Sequence, residues 1–445
     1  MFGYYVRLAV RSFRRAPGLT ALMVMAIAVG IGVCVVSLTV FHAMSGNPIW
    51  WKNDRLFAVT MDSYDPVLPA NPIHPELPPE QLTHRDAMYL RASKIPERSV
   101  VMYRSTGVLV ANGTRSTPLS ASTRITTTDF FKMFDVPFEY GGAWGKAADE
   151  TLDPVIVLSD KTNAKLFGGA NSVGRTVLWN DHEFRIIGVL APWHPRPRYY
   201  DLNNGSFEPP EDSYMPWAAG PGLKQVSAGS TNCWKSEKMI TYEDFLNSEC
   251  VWIQMWVELP DATSRARMQT LLDSYWAHER GAGRFPRPRN NRLTKVDQWL
   301  VEQGVVPNDN RVLVGLAFAF LAVCLINTVG LLLAKFLNAA PTAGIRRALG
   351  ASRRALFAQH LVEVGAIAMA GAALGLAIGA LGLYAVRILY TTNDPNGGGY
   401  QELAHFDATS IVWAALLAVV AALVAGLYPA WRIGRVEPAV YLKNQ

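Results

Sequence analysis

Hydrophobic and polar residues along this chain are segregated over stretches longer than a soluble helix or strand requires. Four runs carry no Asp, Glu, Lys or Arg: 36 residues between Arg15 and Lys52, 23 between Arg311 and Lys335, 23 between Glu363 and Arg387, and 24 between Asp407 and Arg432. About 20 apolar residues in a helix cross the hydrocarbon core of a bilayer. Lipid offers the backbone no hydrogen-bond partners, so each run predicts a helix that satisfies its own amides. The expected fold is an integral membrane protein with four transmembrane α-helices and a large α+β extracytoplasmic domain inserted between helices 1 and 2. The segments are 1–16, an amphipathic helix; 17–44, the first span; 45–310, the inserted domain; 311–334, the second span; 335–363, a loop; 364–387, the third span; 388–407, a short loop; 408–431, the fourth span; and 432–445, a tail.

Within the insertion the pattern shortens. Pro66, Pro69, Pro72, Pro75, Pro78 and Pro79 predict an extended connector. Thr83 with Asp86 three residues on predicts a helix start, running to about Lys94. Pro154 to Leu158 and Phe184 to Leu190 are β-branched runs bounded by turn residues and predict strands. Val251, Ile253, Met255, Val257 and Leu259 alternate and predict a half-buried strand. Asp261 to about Arg280 reads as a helix, and Leu293 to Gln303 as a second helix leading into the second span. Ahead of the first span, Phe2, Tyr5, Val6, Ala9, Val10 and Phe13 oppose Arg7, Arg11 and Arg14, the pattern of a helix lying in the headgroup plane.

Charge assigns sides to these segments. The 445 residues include 42 Lys and Arg against 36 Asp and Glu, a formal net charge of +6. Segments 1–15, 335–363 and 432–445 together carry +10, whereas 387–407 and 52–311 each carry −2. Basic loops stay in the cytoplasm, which predicts both termini inside and the large domain outside, in the inner membrane of a bacterium. The excess charge therefore records orientation and excludes a nucleic-acid partner; the basic faces meet anionic lipid. Half the residues are hydrophobic and 18% charged, which excludes intrinsic disorder. The first run is longer than a signal-peptide core and reads as a retained helix.

Candidate chemistry is sparse. Gly169 to Thr176 imitates a phosphate-binding loop, but Arg175 stands where that motif needs Lys, on the side where ATP is absent. The eight His are scattered, and neither metal nor cofactor is expected on this chain. An enzyme active site is not expected either. Gly371, Gly375 and Gly379 repeat at every fourth position, a face that lets helices approach closely in lipid. Cys233 and Cys250 both fall in the outer domain, where either a disulfide or two buried thiols fits the spacing. Trp193, Tyr199, Tyr200, Tyr214, Trp217 and Trp234 suit either ligand contact or core packing.

The cytoplasmic loop holds the most specific string, Gly344-Ile345-Arg346-Arg347-Ala348-Leu349-Gly350-Ala351-Ser352-Arg353, a short basic helix and turn before an amphipathic approach to the third span. This string resembles the loop between spans two and three of MacB/FtsX-type permeases, the membrane subunits of mechanotransmitting (type VII) ABC systems. Arg14 to Gly18, Asp129 to Phe134 followed by Gly141-Gly142, Val155 to Ser159, Leu166 to Gly169, Ile187 to Val189, Pro429 to Arg432 and Pro438-Ala439 are similar to that family in order.

The resemblance implies a two-lobed outer domain, dimerisation with a second permease, and two copies of a cytoplasmic ABC ATPase that bind Mg-ATP and dock on residues 344–353 as a coupling helix. Only 15 residues precede the first span, which implies that the ATPase is a separate chain. The function implied is to couple ATP hydrolysis to motion of the periplasmic domain. This would serve efflux or export of a drug, peptide or lipid-like substrate, with a membrane-fusion protein and an outer-membrane channel as further partners. The alternative is an FtsX-like regulator that activates an extracytoplasmic enzyme without transport. Thr342 stands where the family has an acidic residue, a departure that motivates a heterodimer with a non-identical permease, with a homodimer as the other arrangement.

Overall fold

The computed structural model describes residues 13, 16–72, 74–112, 117–305, 308–338, 345–346, 349–350 and 352–393, with short helical pieces between 412 and 427. The amphipathic helix over 2–15 (Phe13 apart), most of the 388–407 loop, most of the fourth span and the 432–445 tail lie outside the described residues. Two compact units emerge: Met1–Met44 with Val306–Gln445, and Ser45–Val305.

The first helix, α1 (Pro17–Ser45), starts on a proline. Proline suits the first helical position, where a missing N–H costs nothing. The outer unit then runs β1 (Leu56–Thr60), α2 (His84–Arg91), β2 (Arg98–Ala111), β3 (Leu119–Thr126), α3 (Asp129–Met133), β4 (Phe138–Gly141), β5 (Val155–Leu158), α4 (Asp160–Phe167), β6 (Thr176–Trp179), β7 (His182–Leu190), β8 (Ser213–Pro216), β9 (Gln254–Glu258), α5 (Ala262–Gly281), β10 (Arg292–Lys295) and α6 (Val296–Glu302). The strands form one sheet in the order β10-β1-β9-β2-β3-β8-β5-β7-β4, with β6 paired to β2 and β7. The long β2 serves both halves: its start pairs with β9, its middle with β3 and its end with β6. One apolar core runs along the whole sheet.

Local signals account for the helix ends. Thr83 Oγ1 accepts from the Asp86 amide at 3.2 Å, and Asp261 and Ser264 form a reciprocal capping box that starts α5. Gly168, at φ +67°, closes α4 in the left-handed conformation that favours glycine. Two elements differ from the sequence pattern. The β9 strand is buried on both faces, in the interior of the sheet between β1 and β2 rather than at a wet surface. Leu293 to Lys295 are strand, not helix, because they pair with Phe57 to Val59 of β1, and the helix starts only at Val296.

The aromatic stretch serves packing. Tyr199, Tyr200, Tyr214 and Trp217 are buried, and Phe130 of α3 and Phe134 at its C-cap pack against Tyr199, Tyr200 and Tyr214. The loop between β7 and β8 is thereby folded inward. Trp256 Nε1 and Trp299 Nε1 donate to the carbonyls of Tyr200 and Tyr199 at 3.3 and 3.2 Å. Nearby, Cys233 and Cys250 are joined in a disulfide beside a backbone bridge between Asn232 and Val251. The bond closes a loop across a sequence separation of 17. Closure of that length contributes about 3 kcal/mol. Cys233→Ser with Cys250→Ser is expected to lower the outer unit's melting temperature by roughly 6–12 °C. Thermal unfolding of the full chain followed by tryptophan emission checks this, and an unchanged midpoint would refute a stabilising bond.

In the other unit, α7 (Asn308–Asn338) and α8 (Arg353–Asn393) join α1. Among the described residues, the helices long and apolar enough to cross a membrane fall within Pro17–Lys52, Arg311–Asn338 and Arg353–Val386. Helix α8 begins eleven residues before Val364, and Lys335 lies within α7. Much of the expected 335–363 loop is therefore helical; Arg353 to Glu363 contains no glycine or proline to stop it.

Candidate functional site

The glycine face of α8 packs on α1. A Cβ at Gly371 would fall 2.6 Å from Ile27 Cγ2, and one at Gly375 would fall 2.9 Å from the Ala28 carbonyl. Gly379 is looser, with Val35 at 3.5 Å. Gly32 of α1 faces the Gly375 carbonyl in turn, so small residues on both helices bring their backbones together. Met23, Ile27, Ile31, Leu321, Leu332, Val364 and Ile367 fill the remaining space as one apolar core.

At the loop end of these helices lies a buried polar cluster. Lys335 Nζ of α7 is 2.7 Å from Glu363 Oε1 of α8 and donates to Thr20 Oγ1 of α1 at 3.4 Å. His360 Nδ1 is 3.6 Å from Glu363 Oε2, and its ring lies against Phe336 at 4.3 Å. The side chains of Lys335 and Glu363 are only 7% and 4% exposed. Three helices thus share one ion pair, set in apolar surroundings where an unpaired charge would be costly. Charge arithmetic had assigned Lys335 and Glu363 to the solvated loop. A signal was nevertheless present: His360 and Glu363 fall on the same helical stripe as the buried Leu356, Val364 and Ile367. A carboxylate on an apolar stripe requires a cation opposite.

The string 344–353 adjoins this cluster. Gly344, Arg347, Ala348 and Ala351 lie outside the described residues. Ile345 and Arg346 are helical, the Leu349 amide donates to the Ile345 carbonyl at 3.0 Å, and Gly350 at φ +98° turns the chain. Ser352 Oγ accepts from the Ala355 amide at 3.2 Å, which caps α8 as it begins at Arg353. Arg346 Nη1 donates to Gln359 Oε1 of α8 at 2.9 Å and is half-buried, so its charge anchors the loop. Two large apolar side chains of the string face outward, Ile345 at 52% and Leu349 at 82% exposed, alongside the exposed Ser352 and Arg353. At positions i and i+4 Ile345 and Leu349 occupy one helical face, the arrangement that a groove on a partner reads.

Among the described residues, no group of three His, Cys, Asp or Glu is placed to hold a metal. The segment 169–176 is a turn. The amides of Ala170, Val173, Gly174 and Arg175 bond to Phe167, Asn171, Ile186 and Ser172, so they are not aimed at a phosphate.

Comparison with known proteins covers both units. Residues 20–275 match the family described as MacB-like periplasmic core domain, and residues 314–438 match FtsX-like permease C-terminal. The macrolide export ATP-binding/permease protein MacB of Syntrophobacter fumaroxidans is 23% identical over 353 residues, 72% of this chain and 47% of that protein. The pyoverdine export ATP-binding/permease protein PvdT of Pseudomonas aeruginosa is 25% identical over 320 residues, 72% of this chain and 41% of that one. The chain thus spans less than half the length of these curated relatives. The periplasmic region of MacB from Actinobacillus actinomycetemcomitans aligns with a TM-score of 0.37 at 14% identity, covering 58% of this chain and 96% of that one. The family matches span the sheet unit and the helical unit in one order, and the chain belongs to the MacB/FtsX-type family of ABC transporter permeases, bacterial inner-membrane proteins with a periplasmic domain.

Proposed function

We propose that this chain is the permease subunit of an export complex, in which a cytoplasmic ATPase docks on residues 344–353 and drives motion of the periplasmic domain. The observation that carries this reading is the exposed apolar pair Ile345 and Leu349 on a loop that Arg346 fastens to Gln359 of α8, the helix that also carries Glu363 of the buried ion pair. A push on the face reaches Gln359 through Arg346, and the ion pair ties α8 to α7 and α1. Both termini are cytoplasmic in this reading, and a second permease completes the membrane unit. The ATPase binds the Mg-ATP, and this chain supplies no catalytic group. The exported substrate is a drug, peptide or lipid-like molecule drawn from the periplasm, with a membrane-fusion protein and an outer-membrane channel extending the path.

The test is recovery of the ATPase subunit with the affinity-purified permease from native membranes. Ile345→Asp with Leu349→Asp places two charges on the docking face and is expected to reduce recovery at least about tenfold, as loss of central interface anchors does. Undiminished recovery would remove the loop as the docking element. Arg346→Glu is expected to act more weakly, because that side chain faces Gln359.

A further inference from the structure

The proline-rich connector, the start of the 201–212 segment and the strand edge beside the disulfide enclose a pocket of about 130 Å³ in the outer unit. Its polar walls include Asn71, Asn203, Ser230, Asn232 and Gln303, and its ionisable wall residue is Glu80. Asn203 hydrogen-bonds the Glu80 carboxylate, but no Lys or Arg among the described residues pairs with it. The reason lies next door. Arg124 and Arg198 are both engaged by Asp201 and Glu211, a balanced set of two cations and two anions. Glu80 is the carboxylate left over.

Its chemistry narrows the occupant. Anions meet Glu80 and, behind it, Asp201. A calcium ion takes six to eight oxygen ligands and favours several carboxylates, whereas this pocket presents one. Drug-sized molecules fill pockets of roughly 300–1,000 Å³, so 130 Å³ takes a head group and a short stem. A cation with several N–H donors matches one carboxylate ringed by amide and hydroxyl oxygens.

We propose that the Glu80 pocket binds a primary alkylammonium group, the head of a linear amine. The ammonium supplies the missing counter-charge and donates to Glu80 and to the surrounding oxygens. Burial, with the charge of Asp201 added, pushes the Glu80 carboxyl up to about 7, so it is part-protonated near neutrality and an incoming ammonium displaces that proton. Asp201 is the charged group acting on Glu80. Arg124 and Arg198 hold it at about 2, so it stays ionised throughout the working range.

Isothermal titration calorimetry on the full chain in lipid nanodiscs tests this with n-butylammonium chloride, using n-butanol and calcium chloride as controls. Butylammonium is expected to bind, butanol and calcium are not, and Glu80→Gln is expected to weaken binding roughly tenfold or more. With the unmutated protein, affinity is expected to fall roughly 30-fold from pH 8 to pH 5.5 as Glu80 takes up its proton. That arm does not depend on the variant folding. A peptide with a single lysine and blocked ends separates the sources: tighter binding than butylammonium assigns the head to a protein partner, and equal or weaker binding assigns it to a free amine. Absence of butylammonium binding, binding that survives Glu80→Gln or is independent of pH, or calcium binding in its place would each overturn the proposal.

Discussion

Lys335→Met is expected to destabilise the helical unit by roughly 3–5 kcal/mol, because it removes the buried lysine that lies 2.7 Å from the buried Glu363 carboxylate. Lys335→Met with Glu363→Leu removes both charges and fills the space with apolar atoms. Its stability is expected to return to within about 1–2 kcal/mol of the unmutated protein, since matched apolar pairs replace buried ion pairs at little cost. The unit carries its own reporters. Cys34 and Cys324 are free and buried in it, so a thiol-reactive fluorophore reads its opening during a thermal ramp. A single variant as stable as the unmutated chain, or a double variant less stable than the single, would sink this account of the pair.

The contrast between what could and could not be read from the sequence follows from contact range. Uncharged runs 23 to 36 residues long define helices through the bilayer dimension alone, a constraint that acts within each segment. Capping at Thr83 and Asp261 is equally local, and both helices begin where those residues place them. Of the three spaced glycines in α8, Gly371 and Gly375 approach α1 closely and Gly379 is looser, whereas Gly382, outside that spacing, would bring a Cβ within 3.0 Å of Val36. Strand assignment failed where the partner decides. Leu293 to Lys295 are strand because β1 lies beside them, and no pattern within those residues says so. For the candidate site, the string 344–353 was visible, but its basic residues drew attention away from Ile345 and Leu349. Which of neighbouring charges and apolar groups faces outward depends on Gln359 of α8, which holds Arg346 inward. The Lys335–Glu363 pair and the Glu80 pocket depend on residues far apart in the chain, beyond the reach of periodicity.

Arg124→Met is expected to have the largest effect in the outer unit, a loss of about 3–5 kcal/mol or more. Arg124 is fully buried on β3, its Nη2 bonds both Asp201 and Glu211, and its guanidinium lies 5.3 Å from the centre of the Tyr200 ring. Those partners are 77 and 87 residues away, so this one side chain fixes the β7–β8 loop to the sheet. Gln254 and Asn204 add donors to Asp201 at 3.0 and 2.8 Å, and Tyr200 Oη donates to Glu211 at 3.2 Å. With Arg124 removed, Arg198 alone faces two buried carboxylates. Burial by itself would raise Asp201, but Arg124 and Arg198 hold it down to about 2, and they lower Glu211 likewise. A depressed folded-state pKa contributes stability that is complete above the unfolded value near 4 and is lost as pH falls towards 2. The unmutated domain is therefore expected to weaken on acidification across that window. The variant is expected to slope the other way. Its unpaired carboxylate is raised by burial, so the deficit is greatest at pH 7–8 and shrinks as protonation removes the stranded charge. Denaturant unfolding followed by tryptophan emission between pH 2 and 8 measures both slopes, with Trp256 bonded to the Tyr200 carbonyl as a close reporter. A deficit that stays constant or grows as the pH falls would show that Arg124 acts through packing rather than through its charge.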